Sequence, residues 1–251
     1  MTKWVADLSP TLKARLAGVC YLITIGVGAF DNIVVGGKLV LREDAAATAH
    51  NIVASEQLYR LAFAADMVPI YIVVTLLLYD LLKPVNSSLA LLAVFSSLVG
   101  GAVGSVTGIF HLAPLVLLKD AFVLGAFTPA QVQALTLACL RLFDQGFSIS
   151  LEFFGFYCFL IGCLIVGSTF LPRVLGALMV LAGLAYMTYS FAYFISPSFA
   201  ATLRPFTLLP GFIGEGSLTV WLLAVGVDAA RWRHQASAAG GPPVTDGYRL
   251  G

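Results

Sequence analysis

Six long apolar runs constrain this chain more than any other feature. A helix rises about 1.5 Å per residue, so roughly 20 apolar residues cross a hydrocarbon core about 30 Å thick. The runs extend from Leu16 to Val35, Leu61 to Leu82, Leu89 to Leu112, Phe147 to Phe170, Leu175 to Ile195 and Phe206 to Val227. None alternates with a period of two, which argues for helices over a β-barrel. Hydrophobic residues make up 59% of the chain and charged residues 11%, against about 25% charged in an average soluble protein. So few charges cannot clothe a soluble surface, which excludes a cytosolic enzyme, a nucleic-acid binder and a disordered chain. The net charge of +1 implies no global electrostatic partner. The predicted fold is an all-α, polytopic transmembrane bundle of six helices with short interfacial helices in the two longer outer loops.

The connections carry their own signals. Lys83-Pro84-Val85-Asn86 and the segment from Ser168 to Arg173 read as tight turns, each with a proline that ends one helix and starts the next. Asp44 is placed to cap a short helix running through Ser55. Thr128-Pro129-Ala130-Gln131 has a cap residue, a first-turn proline and a glutamine three residues after the cap, so a helix is predicted to start there and run into span four.

The domain reading is an N-terminal segment over 1–15, a six-helix membrane domain over 16–227 and a flexible tail over 228–251. The N-terminal segment lacks the features of a cleaved secretory signal. Six spans put both termini on one side. That side holds Lys3, Lys13, Arg15, Lys83, Arg173, Arg231, Arg233 and Arg249; the other holds Lys38, Arg42, Arg60, Lys119, Arg141 and Arg204. Eight basic residues against six favours cytoplasmic termini.

Ionisable groups inside a span cost at least about 2.5–3.5 kcal/mol on insertion scales, so each is a functional candidate. Asp31, Asp66, Asp144, Glu152 and Glu215 qualify, with Arg60, Arg141, Arg204 and His111 on the same outer half. Asp144, Ser148 and Glu152 share a helix face, as do Tyr59 and Asp66, and Tyr186, Tyr189 and Tyr193 form a stripe. These spacings predict an outward-opening polar pocket. An interfacial aromatic belt is the alternative for the tyrosines, and arginine pairing with Asp31, Asp66 and Asp144 the alternative for the outer acids. Glu152 and Glu215 lie deeper than any arginine in the sequence, so each must be neutral or bonded to another helix. Pro210-Gly211-Phe212-Ile213-Gly214-Glu215-Gly216 allows close approach or local unwinding beside a carboxyl group.

Gly100, Gly104 and Gly108 form a small-residue stripe for helix packing, within the subunit or across a homodimer. Metal and cofactor chemistry is disfavoured. His50, His111 and His234 make no i,i+4 pair, and Cys20, Cys139, Cys158 and Cys163 make no CxxC. Walker, GxGxxG and GxSxG motifs are absent from the sequence.

Several phrases carry a family resemblance. They are Glu43 to Thr48 with Asn51-Ile52, Leu58-Tyr59-Arg60-Leu61, Leu81-Leu82-Lys83-Pro84-Val85-Asn86, Phe153-Phe154-Gly155, Leu171-Pro172-Arg173-Val174-Leu175-Gly176, and Gly214-Glu215 before Trp221-Leu222-Leu223. In this order the chain, from about Leu16 to Val227, resembles the bacterial membrane family termed domain of unknown function 4386. The resemblance implies a six-helix integral protein of a bacterial cytoplasmic membrane. Ahead of span four, Leu142-Phe143-Asp144-Gln145 stands where the family's Leu-x-x-His is expected, so no histidine role carries over.

Three functional readings follow. The first is binding or transport of a small or lipid-like ligand, with Glu152 and Glu215 recognising cations or coupling to protons. The second is an intramembrane enzyme using a buried carboxylic acid on an isoprenoid- or fatty-type substrate, with Phe153, Phe154 and Tyr189 stabilising a cation. The third is an accessory subunit whose charges serve assembly alone. Partners are the lipid bilayer and such a ligand, with no cofactor, metal or nucleic acid.

Overall fold

The computed structural model describes residues 8–66 and 69–240. Helix α1 (Pro10–Phe30) starts on Ser9, whose Oγ accepts from the Leu12 amide at 3.3 Å. It widens into a π-helical stretch over Asp31–Leu39. Helix α2 (Ala45–Ala54) is capped by Asp44 as its spacing predicts, with Oδ1 accepting from Ala47 N at 2.9 Å. The second span comprises α3 (Glu56–Asp66) and α4 (Ile70–Leu82), which starts on Pro69. A proline here cannot supply the amide that would continue the ladder.

Asn86 caps the 33-residue α5 (Ser87–Lys119). The short α6 (Ala121–Ala126) follows, and the predicted capping box of Thr128 and Gln131 then opens the 39-residue α7 (Pro129–Gly167). Helices α8 (Arg173–Ile195), α9 (Pro197–Ala224) and α10 (Ala229–Ala238) complete the order. Six helical segments are long and apolar enough to cross a membrane. The all-α polytopic fold is therefore observed, with α2 and α6 in the two longer connections.

The spanning helices close into a ring. Each packs on two neighbours, in the order α1, α4, α5, α7, α8, α9 and back to α1. A close backbone seam joins α7 to α8. Ser148, Gly155 and Gly162 recur every seven residues on α7, and Gly176, Gly183 and Ser190 do so on α8. A Cβ on Gly183 would stand 2.5 Å from both Gly155 O and Phe159 N, and one on Gly162 2.6 Å from Val180 N. Backbones thus touch where side chains would otherwise sit, as small residues permit between membrane helices.

The stripe of Gly100, Gly104 and Gly108 is used within the chain. Gly100 and Gly104 lie against Ser150 on α7, and Ser150 Oγ donates to Gly100 O at 2.8 Å. The face offered to a homodimer by the sequence is thus occupied by a neighbouring helix at these two glycines.

At the end where α1 starts and α9 finishes, Asp80 is buried and accepts from Lys13 and Lys83, each at 2.5 Å. Asp80, two residues before the end of α4, is not among the acids that the sequence analysis names. The tail expected from residue 228 onward opens with α10. Trp232 is buried there and donates through Nε1 to Leu81 O at 2.9 Å, while Gln235 accepts from the Thr169 amide at 3.0 Å. Residues 241–251 lie outside the described part.

At the far end, α5 and α7 exceed a hydrocarbon core of about 30 Å by many residues, being about 50 and 58 Å long. Their surplus, the π-helical stretch, α2 and α3 enclose a second apolar cluster of Val35, Leu39, Val40, Ile52, Tyr59, Ala62, Leu115 and Leu140.

Candidate functional site inside the helix ring

Glu215 stands nine residues before the end of α9, Cys158 nine before the end of α7, and Tyr21 eleven after the start of α1. At about 1.5 Å per residue these positions are about 14 to 17 Å from the terminal face, near the middle of the core. Glu215 is half-buried there. Its carboxyl group faces the hydroxyls of Tyr186 and Tyr21 and the Cys158 thiol, whose Sγ lies 3.8 Å from Oε1. Four helices therefore meet at one acid.

Helical geometry explains the convergence. On α9, Gly211 and Gly214 face α8, whereas Leu222 and Leu223 face Gly18 of α1. Glu215 falls between these two directions and so points into the ring. A Cβ on Gly211 would stand 2.2 Å from the Tyr186 ring, so the glycine leaves that ring room to lie across α9 toward Glu215. The Pro-Gly segment stays helical, and its Gly211 and Gly214 serve close packing on α8 rather than unwinding, while a Cβ on Gly216 would meet nothing within 4 Å.

The polar surroundings continue across the ring. The Tyr71 ring packs edge-on against Tyr21 at 5.9 Å, Tyr157 at 5.8 Å and Phe154 at 4.9 Å between centroids. Thr75 lies beside Tyr157 and shares a 2.7 Å hydrogen bond with Ser97 on α5. All six spanning helices thus contribute polar groups to one layer. Yet the layer is incompletely bonded. The hydroxyls of Tyr21, Tyr157 and Thr219 are buried without a hydrogen-bond partner, and Thr219 lies one turn from Glu215 on nearly the same face. Tyr21, Tyr71, Tyr157 and Cys158 were absent from the sequence-derived candidates. Their signal was available, because a tyrosine in the middle of an apolar run cannot belong to an interfacial belt.

Glu152 and Glu215 are not brought together. Glu152 is turned about 120° around α7 from Cys158 and lies about 9 Å away along the axis. It occupies the α8 flank, between the ring and the outward side marked by the exposed Ile149 and Phe156. Its Oε2 is buried and makes no hydrogen bond.

The outer candidates form separate groups. Tyr59, His111 and Asp31 do meet: the Tyr59 hydroxyl donates to His111 O at 2.5 Å, Asp31 lies near Tyr59, and the His111 ring packs on Tyr59, Phe63 and Phe143. Asp144 pairs with Arg42, at 2.9 Å from Nη2 to Oδ1, not with the arginines anticipated for it. Arg60 pairs with Glu56 on its own helix, and Glu56 also holds Lys119. Arg141 is exposed and near Tyr193. Tyr189 is half-buried, its ring centroid 6.2 Å from that of Tyr193. The side chains of Asp66 and Arg204 lie outside the described part.

The family model for a domain of unknown function, DUF4386, matches residues 16–226. The chain belongs to that family. No curated protein and no solved structure matches it. Membership in DUF4386 agrees with the six apolar helices in making this a multi-pass membrane protein. Among the described residues, no group of three or more His, Cys, Asp or Glu side chains is placed to hold a metal ion.

Proposed function

We propose that the ring interior is the ligand chamber of a small membrane binding or transport protein, entered from the end opposite the termini, with Glu215 as its recognition or coupling group. The observation that carries this reading is the meeting of Glu215 with Tyr21, Tyr186 and Cys158 at mid-depth inside the ring. A carboxyl group so placed costs several kcal/mol in lipid and is characteristic of pathways for ions and protons. The α8 tyrosines supply the route. Tyr186, Tyr189 and Tyr193 recur at helical spacing from Glu215 toward the far end, where Tyr193 comes near Arg42 and Arg141. In this reading the membrane is a bacterial cytoplasmic membrane, with both termini in the cytoplasm.

Single cysteines test the route. In a background with the four native cysteines replaced, Tyr189→Cys and Tyr193→Cys are exposed in intact cells to a membrane-impermeant maleimide. Both react from the outside, and Leu181→Cys, on the exposed apolar side of α8, does not. If neither tyrosine position reacts from outside, the chamber does not open there and the reading is wrong.

A further inference from the structure

Glu215 brings one negative charge into the ring, and nothing described beside it brings a positive one. Among the described residues, the side-chain ion pairs sit at the two ends: Lys13, Asp80 and Lys83, and Arg231 with Asp228, at the terminal face, and Arg42 with Asp144 and Arg60 and Lys119 with Glu56 at the far end. The groups that face Glu215 are two phenol hydroxyls and a thiol, all neutral. Charge balance in this layer therefore has to come from solution, as a proton or as a small cation.

The unbonded hydroxyls favour a cation. Tyr21 is turned toward Glu215 without making a hydrogen bond, and Tyr157 lies beside Thr75 and Tyr71, again without one. Thr219 is the third such hydroxyl. A proton on Glu215 would neutralise the charge and leave these three oxygens unmet. A cation accepts lone pairs from the carboxylate and the hydroxyl oxygens together, and oxygen donors suit hard ions. Aromatic rings add a favourable field for a cation, an ammonium included. Tyrosine side chains crowd the space on several sides, which selects for a small ion.

We infer that the Glu215 layer binds a small monovalent cation, an alkali ion or a primary ammonium, through the Glu215 carboxylate and the oxygens of Tyr21, Tyr157 and Thr219. This rests on the chamber reading and names what enters it. Protons compete for the same carboxylate, so cation binding weakens as the pH falls.

The test uses the full chain in lipid nanodiscs, titrated with sodium, potassium, methylammonium or choline chloride at constant ionic strength, with the thermal midpoint as readout. Sodium or methylammonium raises the midpoint saturably over choline, and which of them does so separates an alkali ion from an ammonium. Loss of a charged hydrogen-bonding partner in Glu215→Gln weakens the apparent affinity by about tenfold or more, and Tyr21→Phe and Tyr157→Phe by a few-fold each. The two tyrosine variants keep their rings and guard against loss of fold. Four superimposable wild-type curves would mean that the layer holds only water or a proton, and a midpoint shift that persists in Glu215→Gln would place the ion elsewhere; either result overturns the inference. Outside-labelled Tyr189→Cys with no cation response leaves the chamber standing and removes only its cation.

Discussion

Replacing Gly183 by alanine tests the architecture that aims the site. The new methyl carbon would stand 2.5 Å from Gly155 O, 2.5 Å from Phe159 N and 2.9 Å from Phe159 Cα. All three are backbone atoms and cannot rotate aside. Carbon contacts relax to about 3.5–4 Å, so the α7 and α8 axes must part locally by about 1 Å, and such gaps forfeit a quarter to a half of each dispersion contact along the seam. Overpacking of this kind costs about 1–3 kcal/mol, and rigid neighbours place Gly183 at the upper end. Alanine recovers about 1 kcal/mol of helix propensity, leaving a net loss of about 2 kcal/mol, or roughly 30-fold in the folding equilibrium. Gly101→Ala is the matched control, since a Cβ there meets nothing within 4 Å. Unfolding in mixed micelles with increasing denaturing detergent, followed by helical circular dichroism, measures both. If Gly183→Ala unfolds with the wild type, or no earlier than Gly101→Ala, the backbone seam is not what holds α8 to α7.

Other consequences are simpler to state. Asp80→Ala leaves Lys13 buried without this carboxylate and costs about 3–5 kcal/mol, seen as early unfolding in the same assay. Trp232→Ala removes a buried indole and its bond to Leu81 O, and loses about 3 kcal/mol; protease cleavage within α10 then becomes faster than in the wild type. Arg42→Ala breaks a half-exposed pair with Asp144 and changes stability by no more than about 1 kcal/mol. Tyr59→Phe deletes only the bond to His111 O and costs about 1 kcal/mol, read as a small downward shift of the thermal midpoint.

The membrane fold was legible because its signals are local. Twenty apolar residues in a row mean a span wherever they occur, and Asp44 and Thr128 cap helices through atoms within three residues of themselves. The helix over Ala229–Ala238 was hidden by composition. Its alanine and polar residues resemble a linker, and what fixes it is Trp232 against a carbonyl 151 residues away in sequence.

The candidate site divides along the same line. Intramembrane acids can be found by inspection, and Glu215 is among them, but their grouping depends on the angular position of each helix in the ring. Glu152 and Cys158 lie less than two turns apart on α7, yet only Cys158 reaches Glu215. The difference is set by where α8 docks, and α8 docks through Gly155 and Gly162 against Gly183 and Gly176. Glycines therefore decide which polar residue enters the interior, although they bring no polar side chain to it. This is why the same helix can turn Glu152 to the α8 flank and Tyr157 with Cys158 to the ring, and why the hydroxyls around Glu215 fall outside any pattern of charged residues in the sequence.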